Sequence, residues 1–358
     1  MNYTDIRKKT RCIKVGDVTV GGTAPVAIQS MTNTDTSDRE ATLRQVISLR
    51  DAGCDIVRLT APTLESVRTF EYIKSKGIDI PLVADIHFDY KIAIAAAKGG
   101  ADKIRINPGN IGDDGRVREV VLACRENRVP IRIGVNSGSL EKHILKKYGT
   151  PCAEALAESA MYHISLLERY DFQDIAVSVK SSDAYTMIRA NRLLSEATDY
   201  PIHLGVTEAG FGTRAVIKSS IGIGALLSEG IGDTLRVSLT DKPEEEISAA
   251  REILSTLGIG DAQGMDIVSC PTCGRTKIDL IALTREFEAR AMAEGLMKKN
   301  IKVALMGCVV NGPGEAREAD VGIAGGNGEG LLFKRGEIIR KLREEELIDA
   351  LLDEIRRL

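Results

Sequence analysis

Tryptophan is absent from the 358 residues, and tyrosine and phenylalanine contribute only eight and six. Proteins that grip nucleic acid rely on a basic balance and, on single strands, on stacking aromatic rings. Here aromatics make up 4% of the chain and the formal net charge is -3. Nucleic acid is therefore not an expected partner, and an anionic ligand would have to be held by local clusters of charge. Long apolar runs are missing as well. None approaches the ~20 residues needed to cross a bilayer, and the opening MNYTDIRKKTRC has no apolar signal segment. The chain reads as cytoplasmic, with no membrane partner. Cysteine is sparse and odd in number, seven. Without an export signal, that count fits reduced thiols and a metal better than a disulfide framework.

What is present is ordinary for a globular enzyme, with 43% hydrophobic and 28% charged residues. The length exceeds one average domain but accommodates a barrel of ~250 residues and a smaller partner. Eight short apolar runs alternate with segments of helical period: VAIQSM (26–31), DIVRLT (55–60), PLVAD (81–85), KIRINP (103–108), IRIGVN (131–136), IAVSVK (175–180), IHLGVT (202–207) and TLRVSL (234–239). In ATLRQVISLRDAG, Leu43, Val46 and Ile47 share a helical face, and Ser182 or Asp183 stands near the cap of a later helix. Eight such β-then-α units predict a (β/α)8 TIM-type barrel over 1–258, with a doubly wound open sheet as the structural alternative. Ahead of them, IKVGDVTVGG reads as a hairpin turning at Gly16-Asp17 and covering the barrel's N-terminal face. A helix over 243–257 precedes the linker GIGDAQG (258–264). The remaining residues, 265–358, read as a small α+β domain. Its elements are MDIVSC, a helical segment near 277–297, KVALMG, DVGIA, LLFKRG and a charged C-terminal helix from about Glu337. The Gly-rich GIAGGNGEG (322–330) lacks the Lys-Ser/Thr of a phosphate loop and reads as a link between two strands.

Barrel interiors are packed with Val, Ile and Leu, so alternating polar residues near strand ends call for a cause. They recur as Arg58 and Thr60, Asp85, Lys103, Arg105 and Asn107, Arg132 and Asn136, Ser178 and Lys180, His203 and Thr207, Arg236 and Ser238. On the outer face they would lie against helices, where unpaired charge is costly. The inner face near the C-terminal mouth suits them better, either as structural ion pairs with Asp85 and Glu208 or as a pocket for a small polyanion. The excess of Arg and Lys favours a phosphate or diphosphate, because charge-assisted forks bind such groups well. NPGNIG (107–112) and NSGSL (136–140) offer Gly-freed backbone N–H groups to the same anion, or simply turn the chain.

SCPTCGR (269–275) holds a Cys-x-x-Cys pair, Cys270 and Cys273, and MGCVVNGPGEA (306–316) supplies Cys308. A Gly-Pro-Gly reversal there can return Glu315 to the same place. Three soft thiolates and one replaceable oxygen ligand describe a cluster with one reactive iron, while a structural zinc site or a merely packed pair stays open on spacing alone. Cys12, Cys54, Cys124 and Cys152 stand apart and read as small buried residues.

Taken in order, VAIQSMTNTDT, NPGNIG, RIGVNSGSL, HLGVTEAG, SCPTCGR and GCVVNGPGEA resemble the motifs of the 4-hydroxy-3-methylbut-2-en-1-yl diphosphate synthase family of the non-mevalonate isoprenoid pathway, in its short bacterial form. The resemblance spans nearly the whole chain. It implies a barrel followed by an iron-sulfur domain resembling ferredoxin or sulfite reductase, a 4Fe-4S cluster held by Cys270, Cys273, Cys308 and Glu315, and a homodimer. It further implies 2-C-methyl-D-erythritol 2,4-cyclodiphosphate as substrate, gripped by Arg58, Arg105, Arg132, Asn136, Lys180, Thr207 and Ser238. Glu208 is the expected proton donor, with Asp85 and His87 behind it. The resemblance also implies flavodoxin or ferredoxin as electron donor, and no NAD fingerprint or flavin motif occurs in the chain. A zinc-stabilised hydrolase, or a barrel with a zinc module as a protein-binding arm, is the alternative that iron and sulfide analysis would reveal.

Overall fold

The computed structural model describes residues 3–260, 264–308 and 317–358, in two compact units, one ending at Gly260 and one beginning at Asp261. The first unit opens with a hairpin of β1 (Ile13–Val15) and β2 (Val18–Val20), with Gly16 at φ +55° in its turn. The eight apolar runs then supply β3 (Ala27–Met31), β4 (Ile56–Thr60), β5 (Leu82–Asp85), β6 (Lys103–Ile106), β7 (Ile131–Asn136), β8 (Ile175–Lys180), β9 (His203–Leu204) and β10 (Thr234–Leu235). All pair in parallel, in the order β8-β7-β6-β5-β4-β3-β10-β9. A parallel bridge between Val177 and Ile202 joins the two ends of that order and closes the barrel. The open doubly wound sheet is thereby set aside.

Helix starts follow from short polar caps. Asp38, Thr63, Asp89, Asp113 and Asp183 each accept an N–H of the turn that follows. Such caps stabilise by ~1 kcal/mol each, and they fix where chain leaves the strand's C-terminal end. At the opposite end Ile13, Val15 and Val20 pack on Ala27, Ile56, Val83 and Ala176, so the hairpin plugs the N-terminal face as its sequence suggested.

β9 and β10 are only two residues long, although six-residue runs were expected there. Past them the chain runs through a crowded part of the barrel where glycine is required. A Cβ on Gly205 would lie 2.7 Å from the Arg236 carbonyl oxygen and 2.9 Å from Lys180 Nζ. The chain stays close to its neighbours past Leu204, with Arg236 N–H donating to the Leu204 carbonyl at 2.9 Å, but the regular ladder ends.

The second unit is a five-stranded sheet of β11 (Asp266–Ser269), β12 (Lys302–Met306), β13 (Val321–Gly325), β14 (Glu329–Lys334) and β15 (Glu337–Arg343). The first three run parallel and the last two antiparallel. Phe287 of the helix Leu280–Ala293 and Leu351 and Ile355 of the helix Leu347–Arg357 are buried with Leu305, Val321 and Ile323 in one core. The expected C-terminal helix from about Glu337 is a strand instead, and the helix begins ten residues later, at Leu347. Arg335 and Gly336 both take positive φ, which makes the tight turn of a hairpin, and β-branched Ile338 and Ile339 suit the strand that follows. GIAGGNGEG does link two strands, as its composition suggested, with its ends inside β13 and β14. Residues 261–263 of the proposed linker and residues 309–316, which include Glu315, lie outside the described residues.

Candidate functional site

The alternating polar positions converge at the C-terminal mouth of the barrel. A cavity of about 270 Å³ is lined there by Arg58, Asp85, Arg105, Arg132 and Lys180 from the strands and by Arg236 from the stretch just past β10. Asn136, Thr207, Ser238 and His87 complete its rim together with Asn107, Asn110 and Ser139. Pairing registers explain the grouping: Asp85 sits opposite Arg105, Arg105 opposite Arg132, and Asn136 opposite Lys180. Glycine makes room for them. A Cβ on Gly134 would stand 2.4 Å from Arg105 Nε, and one on Gly205 would meet Lys180 Nζ. Gly134→Ala is therefore expected to fold, because the far end of a flexible side chain can give way, yet to shift Arg105 and weaken anion binding by ~tenfold. Calorimetric titration beside a thermal melt checks both parts, and unchanged affinity would refute the packing argument.

Charge in this interior is unbalanced. Arg58, Lys103, Arg105, Arg132, Lys180 and Arg236 are met by two carboxylates, Asp85 and Glu246. Asp85 accepts from Arg105 Nη1 at 3.0 Å and faces Arg58 Nε at 3.7 Å. Burial opposes its ionisation, but Arg58 and Arg105 prevail and hold its pKa down to about 2. Burial pushes Lys180 and Lys103 well below the usual lysine range, and the neighbouring guanidinium groups push the same way. Arg132 is likewise disfavoured as a cation, by burial first and then by Arg58 and Arg105. A guanidinium does not lose its proton under such pressure, so the pressure is expressed as demand for a counter-ion. Arg132 is fully buried, gives Nη1 to Gln29 Oε1 at 3.2 Å, and leaves Nε and Nη2 without a protein partner. His203, held neutral by burial and the surrounding cations, bonds Thr234 through Nδ1 and leaves Nε2 unpaired.

Side chains, more than loop amides, reach the cavity from the two Gly-containing loops. Asn107 Oδ1 takes the Gly109 N–H at 3.0 Å as a cap, so that amide is already committed. Asn136, in the amide orientation that satisfies both its ends, accepts from Arg105 Nη2 at 3.3 Å.

Glu208 is the expected site residue that the cavity does not gather. It is exposed, in a turn, with φ +52°, an uncommon backbone state for a non-glycine residue. The structural ion pairing imagined for Asp85 and Glu208 accordingly divides differently: Asp85 pairs as expected, and the second buried carboxylate is Glu246. Asp85, ionised and bridging two arginines, suits holding them in place far better than giving up a proton. His87 is exposed and lines the rim. Sequence reasoning passed over Gln29 and Glu246. Gln29 lies in a strand at an inward position, which was a usable signal, but nothing distinguished Glu246 among three consecutive glutamates.

In the second unit, Cys270 follows β11 and Cys308 lies just past β12, so both leave the same end of adjacent parallel strands. Cys270 N–H extends the ladder to the Leu305 carbonyl at 3.1 Å, and Gly307 N–H points at Cys270 Sγ at 3.2 Å. Cys273 sits in a turn closed by Thr276, with Thr272 at φ +54°, and Lys277 N–H ties that turn to the Gly307 carbonyl. All three thiols are free. Among the described residues no three His, Cys, Asp or Glu side chains are already placed around one metal position. The donor chemistry fits a thiophilic group: free sulfurs, partly exposed, with an amide N–H aimed at one of them. Of the isolated cysteines, Cys54 and Cys124 are buried, and burial lifts both thiols to about 12. Cys12 and Cys152 correct the expectation, being exposed and half-buried, since one precedes the hairpin and the other stands at a helix cap.

A parallel barrel with an electropositive mouth, succeeded by a small cysteine-bearing sheet unit, defines a two-unit enzyme for an anionic substrate. Comparison with known proteins narrows this. The chain belongs to the GcpE family: the GcpE TIM-barrel domain matches residues 10–251 and the GcpE protein C-terminal domain matches residues 266–357. It is 58% identical over 346 residues to the 4-hydroxy-3-methylbut-2-en-1-yl diphosphate synthase (flavodoxin) of Clostridium perfringens, covering 97% of this chain and 98% of that one. The protein of the same name from Clostridium acetobutylicum is 57% identical over 349 residues, 98% of this chain and 99% of the other. Among solved structures, a truncated 3-deoxy-D-arabino-heptulosonate 7-phosphate synthase from Thermotoga maritima shares the barrel fold with TM-score 0.52 and 13% identity, over 70% of this chain and 94% of that one.

Proposed function

We infer that the chain carries the activity for which its relatives are named, the formation of 4-hydroxy-3-methylbut-2-en-1-yl diphosphate from 2-C-methyl-D-erythritol 2,4-cyclodiphosphate in the non-mevalonate route to isoprenoids. The observation that carries this reading is the cation excess around a buried arginine with two unpartnered N–H groups, which a doubly charged cyclic diphosphate would satisfy. The reaction is a reduction. Two electrons enter, the carbon–oxygen bond to one phosphate breaks, a hydroxyl takes one proton and leaves as water, and a carbon–carbon double bond forms. The diphosphate is left with one more negative charge.

Cys270, Cys273 and Cys308, with Glu315 as a fourth and weaker ligand, are proposed to hold a 4Fe-4S cluster, which would supply the electrons. The chain's own residues do the rest. Arg58, Arg105, Arg132 and Lys180 bind the phosphates and offset the charge that grows as the ring opens, the differential stabilisation that accelerates such a step. Asn136, Thr207 and Ser238 orient the ring. Asp85 keeps Arg58 and Arg105 in register. Glu208 is proposed as the proton donor to the leaving hydroxyl, with His87, which lines the cavity rim, as the alternative. Flavodoxin is the proposed electron donor, with ferredoxin as a substitute, and the working form is proposed to be a cytoplasmic homodimer. No helix among the described residues is long and apolar enough to cross a membrane.

Anaerobic protein, assayed for iron, sulfide and turnover of the cyclic diphosphate with reduced flavodoxin, tests the reading. A colourless protein with stoichiometric zinc would refute it. Within the same assay Glu208→Gln is expected to leave KM within about twofold and to lower kcat by ~10²-fold or more, the usual scale of general-acid catalysis. Unchanged kcat would remove Glu208 and shift attention to His87.

A further inference from the structure

Arg236 and Ser238 line the cavity from the stretch that follows β10, the shortest kind of strand in this barrel, so something other than the ladder must fix them. The candidate is Glu246, in the first turn of the helix Pro243–Thr256 and only 3% exposed. Its carboxylate takes Arg236 Nε at 3.0 Å and Nη2 at 2.9 Å, a two-pronged grip that sets the plane of the guanidinium. It also takes Leu239 N–H at 3.2 Å, next to Ser238, and Ser30 Oγ–H of β3 at 2.9 Å. Arg236 Nη1 is left outside this grip, against Met31 Sδ at 3.7 Å. One carboxylate thus joins the last loop of the barrel to its first strand and its last helix.

We propose that Glu246 is a positioning residue for the substrate pocket, holding Arg236 and the Ser238 segment in the geometry that receives a phosphate. The proposal rests on the diphosphate reading above. A carboxylate one hydrogen bond from Arg236 also attenuates that cation, so Glu246 does not bind the anion itself. It acts through the direction and placement of its partners.

Glu246→Gln retains shape but loses the charge and turns one acceptor into a donor facing the guanidinium. The expected result is a rise of ~tenfold in Kd for the cyclic diphosphate and in KM, with kcat changed by less than about threefold. A purely structural role predicts a different pattern, a lower melting temperature with Kd and KM intact in the folded fraction. Glu246→Asp separates the two even if Glu246→Gln fails to fold. It keeps the buried charge and leaves Arg236 in the pocket but shortens the reach to both guanidinium nitrogens, so it is expected to fold and to bind several-fold more weakly. Wild-type affinity in the folded fraction of either variant overturns the proposal. If wild-type protein itself does not bind the cyclic diphosphate, the substrate reading fails, and the same comparison with inorganic diphosphate as probe still decides the role of Glu246.

Discussion

Cys308→Ser protein, purified without oxygen, is expected to retain at least ~tenfold less iron and sulfide than wild type and to show no turnover. Serine presents a hard, far less acidic hydroxyl where a soft thiolate is wanted, so little affinity for iron survives at that corner. The position is demanding because Cys308 is the one candidate thiolate supplied by the β12 segment, whereas Cys270 and Cys273 both come from the stretch after β11. Cys270→Ser should be as damaging, since the Gly307 N–H now aimed at Cys270 Sγ would lose a thiolate acceptor. The barrel should be untouched, and titration with the cyclic diphosphate should give an affinity within about threefold of wild type, because the described residues that line the cavity, Arg58 to Ser238, come from the first unit. Full iron and full activity in the Cys308→Ser protein would dismiss the cluster assignment. Full activity with zinc and no iron would favour a structural metal site.

The sequence was most legible where one physical cause dominates. Eight apolar runs alternating with helical segments favour a closed parallel barrel over an open doubly wound sheet, and polar residues at inward positions stand out against that background. Two things were hidden. The strand Glu337–Arg343 carries charges at helical spacing, and its true nature depends on the two-residue turn at Arg335 and Gly336 that folds it back on β14 as a hairpin, a turn without the usual Asn-Gly or Asp-Gly signature. Glu246 was hidden for a different reason, because its importance lies in Arg236 and Ser30, one of them more than two hundred residues away. Glu208 shows the converse. Its place in the motif HLGVTEAG made it prominent, while the exposed turn it occupies keeps it off the cavity wall.

Arg132→Met is expected to abolish useful substrate binding while leaving the ligand-free protein about as stable as wild type, a combination that distinguishes a functional charge from a structural one. In the ligand-free barrel Arg132 is fully buried among other cations, with one bond to Gln29 and two N–H groups unmet. Replacing a buried charge by an apolar chain of similar length relieves repulsion and desolvation, a gain of roughly 1–4 kcal/mol in comparable cases. Stranding the Gln29 carboxamide costs roughly 1–3 kcal/mol in return. The two terms nearly cancel, so the ligand-free melting temperature should stay within a few degrees of wild type. Bound phosphate changes the balance. Two charge-assisted bonds lost from Nε and Nη2, at roughly 1.5–3 kcal/mol each, raise Kd by ~10²-fold or more. At a ligand concentration one hundred times the wild-type Kd, wild-type protein gains ~2.7 kcal/mol of stability and the variant no more than ~0.4 kcal/mol. Paired melts with and without the cyclic diphosphate read this directly. A variant that melts far below wild type in the absence of ligand, yet keeps its full ligand-induced stabilisation, would show Arg132 to be part of the scaffold and would leave the cation excess without its central binding group.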